Sequence, residues 1–67
     1  MTDDADTDLP RDIGRPATRA LAGAGYRALA DLTAVSEAEL LAMHGVGPRA
    51  VERLSRALAE QGLAFRR

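Results

Sequence analysis

The chain has 67 residues, nine of them basic and ten acidic, and a formal net charge of −1, which is the size of one small domain. Because it contains no cysteine, the sequence excludes a disulfide framework, a thiolate nucleophile and a cysteine-based zinc site. No apolar stretch approaches the roughly 20 residues of a membrane-spanning helix, and the acidic start is unlike a signal peptide. We therefore expect a cytoplasmic protein that makes no contact with membranes.

The charges are distributed unevenly along the chain. Residues 1–12 carry five aspartates and one arginine, for a net charge of −4, whereas residues 13–67 carry eight arginines and five acidic residues, for a net charge of +3. Residues 1–8 are acidic and aperiodic, so they cannot offset the entropy cost of becoming ordered. We therefore expect an acidic disordered tail at 1–8, followed by one mildly basic domain at 9–67.

The first predicted helix begins near Pro16 and ends at about Ala24. Proline suits the first turn because its missing amide hydrogen would have no helical acceptor there. Gly25 can take up the left-handed conformation that often ends a helix. The spacing of the leucines within 26–35 predicts a connector helix of no more than about two turns.

A capping box marks the next helix. Ser36 is expected to be its N-cap, and the Glu39 side chain is expected to reach back to Ser36. This pair predicts a helix at about 37–43. The glycines within 44–47 then interrupt the helical pattern before Pro48 starts a new helix.

The last helix is predicted to begin at Pro48 and to reach about Gln61, where Gly62 ends it. Its buried face is marked by apolar residues at helical spacing, namely Val51, Leu54 and Leu58. Beyond this helix we expect two apolar side chains to fold back onto the core, Leu63 and Phe65, and two basic ones to stay in solvent, Arg66 and Arg67. The sequence thus predicts an all-α, compact domain of four to five helices.

A weak internal repeat relates the two longest helices. Shifting the sequence by 33 residues aligns 13–17 with 46–50 and continues with Leu21 on Leu54. Such a match in an alanine-rich sequence has two interpretations, a coincidence or a pair of turn-to-helix units whose starts face the same way.

The Gly45-Val46-Gly47 turn is the motif that carries chemistry. A chain that reverses within a few residues needs a positive φ or a close backbone approach, and glycine permits both. With Val46 pointing inward, the amides around the glycines and the following helical turn would face outward, at the positive end of the helix dipole. Such an end binds a phosphate whatever the base sequence.

Arginines flank this turn. Arg49 lies in the first turn of the last helix and Arg53 one turn further on, so both guanidinium groups could reach the same anion, with Arg56 on a neighbouring face. Because Glu52 and Glu60 are interspersed, a solvated helix face explains these arginines about equally well.

A second, weaker site is predicted at the start of the first helix, where Gly14 alone marks the turn and two arginines take the matching positions. The candidate nucleic-acid-binding residues are therefore Gly14, Arg15, Arg19, Gly45, Val46, Gly47, Arg49, Ala50 and Arg53.

Residues 40–54, with Gly-Val-Gly-Pro-Arg at 45–49, resemble the helix-hairpin-helix family. Over 13–65 the order of elements is also similar to the C-terminal domain of the bacterial RNA polymerase alpha subunit. The resemblance implies a SAM-like helical domain that binds DNA across the minor groove, through the first helix start and the hairpin. It also implies a free-standing bacterial relative, because the large assembly domain of that subunit is absent from the sequence.

The resemblance places the family's hairpin glycine on Gly47 and the basic residue that follows it on Arg49. Other functional positions of the family differ. Its principal minor-groove arginine falls on Pro16, with Arg15 one place earlier, and three further positions carry Arg19, Gly45 and Arg53. Phosphate binding is therefore expected to be retained, while the promoter preference of the alpha subunit is not.

We expect a non-enzymatic, monomeric module that binds duplex DNA with weak sequence preference and uses neither a cofactor nor a metal. His44 lacks the partners of a catalytic histidine and suits either capping of the preceding helix or contact with a phosphate. Tyr26 is expected to be a wedge in the core rather than a base-stacking platform. One alternative is a protein-interaction module that docks on the transcription machinery or a larger enzyme, which the small net charge and the acidic tail would favour. In a mixed alternative, the tail lies over the arginine face and limits DNA binding.

Overall fold

A computed structural model describes residues 8–67, so residues 1–7 of the tail predicted at 1–8 lie outside the described residues. The described part contains helices and turns and no strand, which confirms the predicted all-α class. Two of the helices are 3₁₀ helices, a short one and a connector, and three are α-helices. In chain order they are the short 3₁₀ helix Arg11–Ile13, α1 Arg15–Gly23, the connector 3₁₀ helix Leu29–Ala34, α2 Glu37–Leu41 and α3 Pro48–Glu60.

Helix α1 ends as the glycine signal predicts. The Gly25 amide donates to the Ala22 carbonyl at 3.1 Å, and the Tyr26 amide donates to the Leu21 carbonyl at 2.8 Å. Gly25 lies at φ +95°, so this is a Schellman end, in which the left-handed residue lets two amides turn back onto the last helical turn.

Two aspartates accept hydrogen bonds from the amides at and just before the start of the connector 3₁₀ helix. The Asp31 carboxylate accepts hydrogen bonds from the Arg27 amide at 3.3 Å and the Ala28 amide at 3.1 Å. The Asp8 carboxylate accepts one from the Leu29 amide at 2.7 Å. The sequence assigned Asp8 to the tail, but a helix start leaves amides that need acceptors, and Asp8 supplies one of them.

Helix α2 begins with the predicted capping box. The Ser36 hydroxyl accepts from the Glu39 amide at 3.2 Å, and the Glu39 carboxylate accepts from the Ser36 amide at 3.0 Å. Hydrogen bonds donated to the Glu39 carboxylate by the Ser36 amide, then by the Ser36 side chain and by Arg66, hold the pKa of Glu39 below its ordinary value of 4.5. The helix is two residues shorter than predicted because the chain tightens after Leu41, where the Met43 amide bonds to the Leu40 carbonyl three residues back, at 3.0 Å.

Helix α3 ends at a second Schellman turn, with Gly62 at φ +74° and the Leu63 amide on the Leu58 carbonyl at 2.8 Å. Leu63 and Phe65 then pack, partly buried, against the core, as predicted.

Arg66 and Arg67 are exposed, as predicted, but Arg66 is also held against the fold by several contacts. Its amide donates to the Val35 carbonyl at 2.8 Å, its Nε donates to the Ala34 carbonyl at 3.1 Å, and its guanidinium pairs with Glu39. The physical reason is that the end of the connector helix leaves carbonyls without helical donors, and Arg66 supplies those donors.

A single apolar cluster joins these elements, and it contains no buried polar side chain among residues 8–67. Aligned positions of the internal repeat occupy matching places in it: each member of the pairs Ile13 and Val46, Ala17 and Ala50, and Leu21 and Leu54 is buried. The match ends one turn later, where Ala24 is exposed and its counterpart Ala57 is half-buried. None of the helices described at 8–67 has the length and apolar character needed to cross a membrane.

Candidate nucleic-acid interface

The hairpin requires a glycine at position 45 for two separate reasons. Gly45 lies at φ +93°, a conformation that costs other residues free energy. A Cβ at this position would also lie 3.0 Å from the carbonyl oxygen of Pro16. Val46 is 6 % exposed and its amide donates to the Met43 carbonyl at 3.2 Å. The predicted turn with an inward valine is therefore present.

Gly47 differs from what the sequence predicts. Its φ is −106°, which any residue can adopt, and a Cβ at this position would meet nothing within 4 Å. Neither the turn nor the packing therefore requires glycine here. Gly47 is the N-cap of α3 and provides no side-chain cap. A serine, threonine, aspartate or asparagine at this position would accept a hydrogen bond from one of the free amides.

The start of α3 consequently presents open amides. The first helical hydrogen bond joins the Val51 amide to the Gly47 carbonyl at 3.1 Å. The amides of Gly47, Arg49 and Ala50 have no acceptor among residues 8–67. Amides without helical acceptors carry the positive end of the helix dipole, so this turn can accept an anion.

The start of α1 has the same arrangement. Gly14 lies at φ +90°, as a turn glycine should, and accepts through its carbonyl from the Thr18 amide at 3.1 Å and the Thr18 hydroxyl at 2.9 Å. Within the described chain the amides of Arg15 and Ala17 make no hydrogen bond. Pro16 follows Arg15 in the first turn and has no amide hydrogen to contribute.

The tertiary structure brings these two helix starts together. Gly45 packs against the backbone of Pro16, which lies in the first turn of α1, and the absence of a Cβ is what allows this approach. The two sites predicted from separate parts of the sequence are therefore neighbours on one molecule, joined at the hairpin.

Three of the four predicted arginines are exposed and make no ion pair or hydrogen bond through their side chains within residues 8–67, namely Arg15, Arg19 and Arg49. Arg53 is different. Its Nη1 donates to the Asp12 carbonyl, and its Nε lies 3.9 Å from an Asp12 carboxylate oxygen. No local sequence signal predicts this contact, because Asp12 and Arg53 are 41 residues apart.

The remaining predicted residues take part in other ways. The side chains of Val46 and Ala50 are buried, each 6 % exposed, so they can contribute to a ligand site only through their backbone. His44 is exposed and makes no side-chain hydrogen bond to any residue in 8–67, so the capping role considered for it is not present. Tyr26 is half-buried against the core, as predicted.

The described residues contain no group of three or more histidine, aspartate and glutamate side chains that could hold a metal ion. Elsewhere on the surface, an open groove of about 400 Å³ lies between the start of α2 and the C-terminal residues, and Ser55 and Phe65 contribute to its lining. Comparisons with models of protein families, with curated proteins and with solved structures give no match for this chain.

Proposed function

We propose that this chain is a helix-hairpin-helix DNA-binding domain that holds backbone phosphates of a duplex with the Gly45-Val46-Gly47 hairpin and the flanking arginines. The observation that carries the proposal is the packing of Gly45 against Pro16. This contact places the two helix starts side by side, and each of them has open amides and an exposed arginine.

The chemistry of the two helix starts favours a phosphate. Amides at a helix start donate hydrogen bonds to phosphate oxygens, and the dipole adds a favourable interaction with negative charge. The missing Cβ of Gly47 leaves room for an anion to approach the backbone. Arg49 adjoins these amides, and a guanidinium makes forked, charge-assisted hydrogen bonds with phosphate.

Such a site distinguishes DNA sequences weakly. Backbone amides and guanidinium groups that contact phosphates position a protein on the duplex but do not read base edges. Affinity should therefore vary little with sequence and fall with salt, with a slope of about −0.9 per neutralised phosphate in a plot of log K against log salt concentration.

The test is fluorescence anisotropy with a short labelled duplex at low salt. Arg49→Glu should abolish binding, because it places a negative charge beside the open amides of α3. Arg67→Glu is the matched control, since Arg67 is also exposed and lines the groove beside the start of α2. If wild type does not bind, or if both variants weaken binding equally, the hairpin is not a phosphate site.

A second candidate function is docking of a protein partner, favoured by the groove of about 400 Å³ near Phe65. Here a pull-down from native lysate should recover one stoichiometric partner that survives nuclease treatment. Ser55→Glu, which introduces charge into the groove lining, should release that partner without affecting duplex binding. Recovery that depends on nucleic acid argues against this candidate.

A further inference from the structure

Arg53 is held by an acidic residue of the same chain. Its guanidinium bonds to the Asp12 carbonyl and lies near the Asp12 carboxylate, with Nε and Oδ2 3.9 Å apart. The side chains are 44 % and 62 % exposed, so water and other anions have access to both. Exposed ion pairs of this kind contribute little to stability.

The carboxylate of Asp12 lies close to the candidate phosphate site. Asp12 belongs to the short 3₁₀ helix that leads into Gly14, the N-cap of α1. Arg53 lies one helical turn beyond Arg49 on α3, and residues at this spacing share a helix face. A carboxylate and a phosphate offer a guanidinium the same kind of partner, anionic oxygens that accept charge-assisted hydrogen bonds.

We propose that Asp12 regulates the phosphate site by competing for Arg53. While the carboxylate neutralises the guanidinium, Arg53 contributes little attraction for DNA, and Asp12 adds a negative charge close to where a phosphate would bind. A phosphate that binds Arg53 has to compete with this carboxylate for the charge of the guanidinium. The inference rests on the proposed function, because it concerns the same site.

The test is Asp12→Asn, which removes the charge, keeps the shape of the side chain and retains the backbone carbonyl that Arg53 contacts. Affinity for the labelled duplex should rise about fivefold, the factor that corresponds to the upper end of exposed ion-pair strengths. The salt dependence should steepen by about 0.9 in slope, because one more phosphate is neutralised. Glu52→Gln is the matched control, since it removes one negative charge from an exposed side chain of α3 that makes no ion pair within residues 8–67.

A double-mutant cycle isolates the pair itself. Arg53→Gln should change duplex affinity little in the wild-type background and reduce it about fivefold in the Asp12→Asn background. Circular dichroism verifies that each variant is folded, and Asp12→Ser replaces Asp12→Asn if the asparagine variant is not.

The proposal is overturned if Asp12→Asn and Glu52→Gln give the same affinity and salt slope, or if Arg53→Gln costs the same in both backgrounds. If wild type binds the duplex and Arg49→Glu abolishes that binding, either of these outcomes counts against the role of Asp12 alone and leaves the proposed function in place. If no variant binds the duplex, the proposed function and the role of Asp12 fail together.

Discussion

Replacing Gly45 by alanine should destabilise the fold for two reasons that add. The residue lies at φ +93°, and a left-handed conformation costs a residue with a Cβ about 1–2 kcal/mol. The new Cβ would also lie 3.0 Å from the Pro16 carbonyl oxygen, a backbone atom that cannot rotate away, and overpacking of this kind costs about 1–3 kcal/mol. The free energy of unfolding should fall by roughly 2–5 kcal/mol.

Gly47→Ala is the matched control for this prediction. Position 47 has φ −106° and open space where a Cβ would lie, so alanine fits there without strain. Alanine is a poorer N-cap than glycine but restricts the unfolded chain more, so the free energy of unfolding should change by no more than about 0.5 kcal/mol. Under the proposed function, Gly47→Ala should instead weaken duplex binding, about tenfold, because the added methyl group would stand where the phosphate approaches the backbone.

Thermal unfolding followed by circular dichroism distinguishes the two variants. At about 4–8 °C per kcal/mol for a domain of this size, Gly45→Ala should lower Tm by at least about 8 °C, while Gly47→Ala should melt close to wild type. The reasoning is refuted if Gly45→Ala lowers Tm by less than about 4 °C, or if the two variants are destabilised equally.

Three further predictions concern the remaining helices and the core. Ser36→Ala removes the N-cap of α2 and should lower the free energy of unfolding by about 0.5–2 kcal/mol in urea titrations; an unchanged midpoint would contradict the capping role. The folded-state pKa of Glu39 is lowered, so the ionised carboxylate stabilises the fold above pH 4.5, the ordinary pKa of the group. This stabilisation is lost as the pH falls through the folded-state pKa. Acidification should therefore destabilise wild type more than Glu39→Gln, and parallel pH profiles of the two would rule this out. Leu54→Ala opens a cavity at a fully buried position and should lower the free energy of unfolding by about 2–5 kcal/mol. A urea midpoint near that of wild type would contradict this and would show that the core collapses into the cavity.

The helix ends could be predicted because their signals are local. The Gly25 and Gly62 turns and the Ser36 capping box each join residues at most five positions apart, so the residue types at those positions are sufficient to indicate the hydrogen bonds. The buried face of α3, formed by Val51, Leu54 and Leu58, could be predicted for a related reason, since helical spacing determines which apolar residues share a face.

The candidate site could be predicted only in part. The sequence indicated a turn at Gly45 and an exposed Arg49, and both are present. The pattern also predicted that the turn requires Gly47, but the backbone of Gly47 is extended and a Cβ there would meet nothing. It also counted Arg53 as available, because nothing near that arginine in the sequence indicates a partner at Asp12.

The sequence by itself determined where α1 and α3 begin and end, where α2 begins and which face of α3 is apolar, because those properties depend on residues within one or two turns of each other. The tertiary structure decided which distant groups meet. Gly45 packs against Pro16, Asp8 caps the connector helix from 21 residues away, and Arg66 reaches Ala34 across 32 residues. These contacts arise when the helices pack around a common core, and that packing is what makes one surface out of two helix starts and places an acidic residue beside it.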